Sequence, residues 1–242
     1  MDLGIAGKVA LVTASSKGLG RASAEALAAE GVSVAICARG REALDETAER
    51  VRSAGGRVLA IEADVTDPDA PARLAAATVA EFGRLDILVG NAGGPPPGKA
   101  FDVDDAAIEA ALNANLLTSV RLARESLPHL RANGWGRICF ITSASVRQPI
   151  PDLALSNVAR TGLWAWAKTA AQDLKGEGIT VNLACPGLHA TDRVTQLGHG
   201  AGARLGDPAD FGKVVAFLCS EPAGFVSGIA MGVDGAAVAG LL

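Results

Sequence analysis

The sequence predicts an α/β domain with a doubly wound, seven-stranded, mainly parallel sheet flanked by helices. Three observations carry that prediction. Short apolar or β-branched runs alternate with longer helix-patterned stretches, the first run ends in a glycine-bearing turn, and aromatics are only 4% of a chain rich in alanine and glycine. Strand–helix alternation demands right-handed crossovers, which set neighbouring strands parallel. Small side chains let helices lie close on a sheet buried on both faces.

The elements follow in order. Strands are expected at 9–13, 33–38, 58–62, 87–90, 138–142, 180–184 and 229–233. Each is a run short enough for a strand and bounded by turn residues or a helical pattern. Between them, helices are expected at 19–30, 41–54, 68–82, 104–132, 155–175 and 208–220. Asp67-Pro68 and Asp207-Pro208 each place an N-cap acid before a proline at the first helical position. No linker, repeat or low-complexity stretch divides the chain, so residues 1–242 are expected to form one domain. Gly93-Gly94-Pro95-Pro96-Pro97-Gly98 reads as a stiff loop rather than a boundary.

A net charge of −4 with no basic cluster argues against nucleic acid as a partner. The apolar runs are strand-sized and Met1-Asp2-Leu3-Gly4 lacks the features of a signal peptide, so neither membrane insertion nor export is expected. Cys37, Cys139, Cys185 and Cys219 have no metal-ligand spacing and read as reduced packing residues of a cytoplasmic protein. Cys185 keeps a reservation because it borders the site described next.

After the first strand the chain reads Thr13-Ala14-Ser15-Ser16-Lys17-Gly18-Leu19-Gly20. Such a turn before a helix lets backbone approach a pyrophosphate, whose charge the helix N-terminus favours. Asp64-Val65 follows the third strand, Asn91-Ala92-Gly93 the fourth, Pro186-Gly187 the sixth, with Thr191 just beyond, and Val233-Asp234-Gly235-Ala236 lies near the end. In kind and order these motifs resemble those of short-chain dehydrogenases/reductases of the classical, 3-oxoacyl-acyl-carrier-protein-reductase-like type, over nearly the whole chain. The resemblance implies a Rossmann-like fold in which residues 1–242 form one dinucleotide-binding domain that includes the substrate pocket. It also implies that Thr13, Ser15, Ser16, Lys17, Gly18, Leu19, Gly20, Asp64, Val65, Asn91, Ala92, Gly93, Pro186, Gly187 and Thr191 hold the cofactor. The family's first loop glycine is Ala14 here, which is expected to be tolerated if its φ stays negative. The second strand ends Ala38-Arg39-Gly40-Arg41, without the acid that NAD users place there for the ribose 2′-hydroxyl. Arg39 and Lys17 instead stand where NADP-using relatives carry base, so NADP(H) is favoured over NAD(H).

The family's catalytic set is Asn, Ser, Tyr and Lys. Asn115 and Ser143 fit the first two positions, and the tyrosine position, thirteen residues after Ser143, is Ser156. The chain has no tyrosine at all, and Arg160 replaces the lysine, which makes it an atypical member. A serine hydroxyl is a much weaker acid than a phenol, and a guanidinium carries no proton, so Arg160 is expected only to hold the cofactor's ribose hydroxyls or a substrate anion with its charge. Ser156 therefore reads as lining an enlarged pocket. The proton is expected from water, from the substrate or from His189; Asp152 and Arg147 are further candidates for binding or activating it. Lys168 stands too far along its helix to replace the lysine. Little chain remains for a lid before Ala203-Arg204-Leu205-Gly206, and Gly198, His199, Gly200 and Gly202 make it irregular, so a cleft that is open or covered by a neighbouring subunit is expected. Trp164 and Trp166, two residues apart, are expected to divide between the sheet and a surface or subunit interface.

The expected activity is NADP(H)-dependent oxidation or reduction of a small-molecule carbonyl, alcohol or imine by a homodimer or homotetramer. The alternatives are a cyclase, dehydratase or isomerase on the same fold, and a catalytically silent NADP-binding partner subunit.

Overall fold

The computed structural model describes residues 1–196, 198, 202 and 204–240; His199, Gly200 and Ala203 of the predicted lid lie outside them. Strands β1 (Val9–Val12), β2 (Ser33–Ala38), β3 (Val58–Glu62), β4 (Ile87–Gly90), β5 (Gly136–Ile141), β6 (Ile179–Pro186) and β7 (Ala230–Val233) form one sheet in the order β3-β2-β1-β4-β5-β6-β7. All neighbouring strands pair in parallel, as the crossover rule requires. The helices are α1 (Gly18–Ala29), α2 (Arg41–Ser53), α3 (Ala70–Phe82), α4 (Asp105–Leu112), α5 (Thr118–Ala132), α6 (Ala154–Asp173), α7 (Asp192–Gln196) and α8 (Pro208–Leu218).

The sheet divides two cores. Leu27 of α1, Leu44 and Val51 of α2 and Phe211 and Val215 of α8 pack with Val12, Val34 and Ile36 on one face. Leu74 of α3, Leu122 and Leu130 of α5 and Leu163 of α6 pack with Leu88, Phe140 and Val181 on the other. Burying both faces explains why β1, β2, β4 and β5 are apolar at nearly every position rather than alternating. Trp164 and Trp166 are both half-buried against this second core, Trp166 edge-on to Phe140 at 6.2 Å, so the expected division between sheet and surface does not hold.

Two helix boundaries differ from expectation. Asp207 caps α8 by accepting from the Ala209 amide at 2.8 Å, as its sequence suggests. Asp67 instead closes a local turn, accepting from the Asp69 amide at 3.0 Å, and α3 starts beyond it with Pro71 in its first turn. The helix expected from 104 to 132 is interrupted by a π-helical turn, Asn113–Leu117. In the wider turn the Asn113 carbonyl accepts from both the Thr118 amide and, at 2.9 Å, the Thr118 hydroxyl, and that hydroxyl also reaches the Val65 carbonyl at 3.1 Å. Such turns often sit at functional positions, and this one contains Asn115.

Ala14 corrects a further expectation: its φ is +46°, in the left-handed region. The turn from β1 into α1 needs that conformation, and the Asn91 side chain holds it by donating from Nδ2 to the Ala14 carbonyl at 3.1 Å. Ala14→Gly is therefore expected to stabilise the fold by about 1 kcal/mol. Chemical denaturation would show this as a higher midpoint with an unchanged slope.

Candidate active site

The carboxyl ends of the parallel strands carry the site, as is general for open α/β sheets. On one side lies the phosphate loop. Thr13 donates its hydroxyl to the Asn91 carbonyl at 2.7 Å and accepts from the Asn91 amide at 2.8 Å, tying β1 to the loop after β4. A Cβ on Gly20 would stand 2.5 Å from the Ala14 carbonyl oxygen and 2.7 Å from Asn91 Nδ2, so the loop folds tightly on the first turn of α1. Gly18 takes φ +59°, and a Cβ there would lie 3.7 Å from the Thr191 methyl, which places Thr191 over the loop. A Gly187 Cβ would stand 2.8 Å from the Asp234 Cα, so the chain after Pro186 runs tight against the end of β7. This cradle of close backbone fits a dinucleotide's pyrophosphate.

Not every predicted contact faces the cradle with its side chain. Ser15 is fully buried, donating to the Val12 carbonyl at 2.8 Å and accepting from the Cys37 amide at 3.1 Å, so its hydroxyl serves the fold. Ser16 uses its carbonyl, which accepts from Thr47 at 3.0 Å, and Leu19 packs into the core. Val65 is buried, while Ala92 and Gly93 lie on the loop after β4. Lys17 is exposed at the N-cap of α1 and Arg39 is exposed just past β2. Asp64 accepts from the Thr66 amide at 2.9 Å and hydroxyl at 2.8 Å. Those bonds, with a smaller contribution from the Arg39 charge, hold the Asp64 carboxyl below the usual range.

On the other side lie the catalytic candidates. Ser143 stands in extended backbone just after β5 and accepts from the Ser145 amide at 3.1 Å. Accepting that bond fixes the oxygen and leaves the hydroxyl proton free to be donated. Ser156 and Arg160 lie one turn apart on α6, both buried, on one face of the helix. Arg160 donates from Nη1 to the carbonyl of Ile141 at 3.2 Å, so its tip lies beside the end of β5, near Ser143. Burial, with a smaller contribution from the Arg193 charge and against the opposing influence of Cys185, brings Arg160 down to about 10; it stays charged at neutral pH. Asn115 is 2% exposed and neither amide atom has a protein partner.

The remaining candidates sit differently. The His189 ring is buried edge-on to Phe211 at 5.1 Å under Gly206, with Nδ1 3.2 Å from the Gly187 carbonyl. Asp152 is an exposed residue at φ +58° whose carbonyl accepts from the Gly98 amide at 2.7 Å, so its backbone anchors the proline loop. Arg147 lies over Gly232 near Asp234, and Lys168 covers Gly228 away from the other candidates. Cys185 is sealed, its thiol 3.2 Å from the Thr142 hydroxyl and pushed up to about 11 by burial, which leaves it a packing residue. One hydrogen bond links the chain after β6 to the proline loop after β4: Arg193 of α7 donates to the Pro95 carbonyl at 2.9 Å. Neither α7 nor Arg193 carries a sequence signal that distinguishes it from ordinary loop.

No helix among the described residues is long and apolar enough to cross a membrane. The family model described as enoyl-(acyl carrier protein) reductase matches residues 13–236. Versicolorin reductase 1 of Aspergillus parasiticus is 34% identical, with 96% of each chain covered. The 3-oxoacyl-[acyl-carrier-protein] reductase of Synechocystis is 33% identical over 96% of this chain and 97% of that one. Among solved structures, L-sorbose reductase from Gluconobacter frateurii, complexed with NADPH and L-sorbose, superposes with a TM-score of 0.90 at 32% identity, covering 97% of this chain and 98% of that one. A 7α-hydroxysteroid dehydrogenase complexed with NADH superposes with a TM-score of 0.91 at 29% identity, covering 100% of this chain and 98% of that one.

Proposed function

The chain belongs to the short-chain dehydrogenase/reductase family of oxidoreductases, and from that premise we propose that it is an NADP(H)-dependent enzyme acting on a small-molecule carbonyl, alcohol or imine through a proton path without tyrosine. The observation that carries this reading is the grouping of Ser143, Ser156 and Arg160 beside the end of β5, at the same end of the sheet as a phosphate cradle. Thr13, Gly18, Gly20, Asn91, Gly187 and Thr191 would hold the cofactor's pyrophosphate and nicotinamide side, with Arg39 and Lys17 on the ribose phosphate. When bound, the cofactor supplies or accepts hydride.

The chain's own residues supply the rest. Ser143 hydrogen-bonds the substrate oxygen through its free hydroxyl and fixes its position. Arg160, charged and buried, stabilises negative charge growing on that oxygen. Asn115, whose amide has no protein partner, is suited to hold a water, and this reading relays the proton from solvent through that water, which is re-protonated as it donates. His189 has its ring turned into Phe211, which favours water over it as the donor. Ser156 lines the space that a tyrosine ring would fill.

The test is spectral change of NADPH on mixing with a broad panel of carbonyls and imines; no change with any of them would overturn the redox reading. The missing tyrosine also favours a second reading, a silent cofactor-binding subunit. That reading gains if Ser156→Tyr with Arg160→Lys creates reductase activity that the parent lacks. A native activity abolished by the same pair would instead assign these residues a task of their own. Cofactor choice has its own test: Arg39→Asp is expected to weaken NADPH binding roughly tenfold to a hundredfold while NADH binding strengthens, read by fluorescence titration.

We also take a homodimer or homotetramer as the working form in the cytoplasm. Val158 and Phe101 are exposed beside an apolar pocket lined by Val103, Ile108 and Leu155, which supports self-association and is checked by sedimentation.

A further inference from the structure

Three polar side chains meet at the cleft with bonding capacity unused. Ser156 is 8% exposed; its hydroxyl has no partner among the described residues and is not among the sealed atoms, so it opens onto the cleft. Arg160 follows one turn along α6 on the same face. Among the described residues it makes one bond, from Nη1 to the Ile141 carbonyl at 3.2 Å, and no carboxylate pairs with it. Its Nε and Nη2 are likewise unbonded and unsealed. Ile141 ends β5, just before Ser143, whose Oγ accepts from the Ser145 amide at 3.1 Å and keeps its own proton to donate. The Ile141 carbonyl thus joins the guanidinium to the stretch of chain that carries the serine. The loop after the neighbouring strand leaves room: β4 pairs Gly90 with Phe140, and a Cβ on Gly93 beyond that pair would meet nothing within 4 Å.

Buried charges are ordinarily compensated, and this one has a single neutral acceptor. What the group lacks is an acid, since the chain has no tyrosine and a serine hydroxyl is a far weaker acid than a phenol. A phenol or enol hydroxyl brought by a ligand would meet both needs: it carries a proton to give, and the cation beside it favours its ionised form. Its ring also takes up the length by which serine falls short of tyrosine. We infer that Ser143, Ser156 and Arg160 form a receptor for a substrate that carries its own acidic hydroxyl, a phenol or enol next to the reacting carbonyl. This deepens the proposed function and rests on it for the word substrate, but binding of the hydroxyl is measurable without turnover. In reduction, the carbonyl carbon accepts hydride, the carbonyl π bond opens onto oxygen, and that oxygen takes the proton as the phenolic O–H bond breaks. The proton relayed from solvent then returns to the phenolate, so charge and atoms balance. Arginine suits this position because one nitrogen can hold the Ile141 carbonyl while others face the phenolate.

The experiment titrates 4-nitrophenol, which turns yellow on ionising, into protein saturated with oxidised cofactor, with 4-nitroanisole as the counterpart that cannot ionise. Bound 4-nitrophenol is expected to ionise roughly one pH unit or more below the free compound and to bind roughly tenfold or more tighter than 4-nitroanisole. Arg160→Gln is expected to abolish the lowered ionisation and Arg160→Lys to keep it, a distinction that a packing role would not produce. Ser156→Phe puts a ring without a hydroxyl in the same space and is expected to block binding; the Arg160 pair keeps the test readable if that variant fails to fold. No binding of 4-nitrophenol, an ionisation unchanged by binding, a lowered ionisation that survives Arg160→Gln, or binding that survives Ser156→Phe would each overturn the receptor. Equal turnover of 2′-hydroxyacetophenone and its methyl ether would overturn the proton transfer from substrate. Lowered ionisation of bound 4-nitrophenol without turnover of any carbonyl would support the receptor and count against the redox reading alone.

Discussion

Asp86→Ala is expected to destabilise the fold by about 3 kcal/mol, more than any other single change considered, without touching the active site. Asp86 stands just before β4, fully buried, at the amino ends of the strands, opposite the cleft. Its carboxylate accepts from the Val9 amide at 2.9 Å, from Arg84 Nε at 2.7 Å and Nη2 at 2.6 Å, and from Asn133 Nδ2 at 3.1 Å. Alanine would leave the Val9 amide buried without a partner, and such a group costs roughly 1–3 kcal/mol. Arg84 is partly exposed and regains water, so loss of the ion pair adds less than a fully buried pair would. For a chain of this size the result is a melting temperature lower by roughly 10 °C. Asp86→Asn keeps an acceptor for Val9 and should recover about half of the loss. Cofactor affinity measured below the transition should be unchanged in both variants; a loss of affinity with intact stability would contradict this assignment.

Asp86 also illustrates what the sequence could not convey. Strand and helix positions were legible because they depend on period and apolarity, which are local properties. Spacing alone preserved the Ser143–Ser156 register, and the glycine turn was legible because so few sequences let backbone fold on a helix start. The π-helical turn at Asn113–Leu117 was hidden, since one extra residue in an otherwise helical pattern is decided by where Thr118 and Asn113 find partners on the distant Val65 and Thr66 carbonyls. His189 read as a loop residue because nothing nearby in sequence announces Phe211, which reaches it from α8. Arg193 was invisible for the same reason: its partner, Pro95, is far away along the chain. Ala14 shows the opposite failure. The motif was recognised, but the sign of φ at its one departure depends on the Asn91 contact, which is tertiary.

Gly20→Ala is expected to weaken cofactor binding about a hundredfold while leaving the fold largely intact. The added methyl would stand 2.5 Å from the Ala14 carbonyl oxygen and 2.7 Å from Asn91 Nδ2, both closer than real contacts allow. The carbonyl is backbone and cannot rotate away as a side chain would. It is also the acceptor of the Asn91 side-chain amide, so moving it disturbs the loop after β4 as well as the loop after β1. Overpacking of this kind costs about 1–3 kcal/mol, and at the upper end that equals about a hundredfold in affinity if it falls on the bound state. It should fall there because the first turn of α1 is where a pyrophosphate would be held by backbone N–H groups, and a displaced loop no longer presents them. Helix formation itself is not at issue, since alanine is the better helix former inside α1. Titration with NADPH and thermal unfolding in its absence separate the two effects. A large fall in melting temperature with affinity retained would mean that Gly20 serves packing alone, and the phosphate cradle would have to be placed elsewhere.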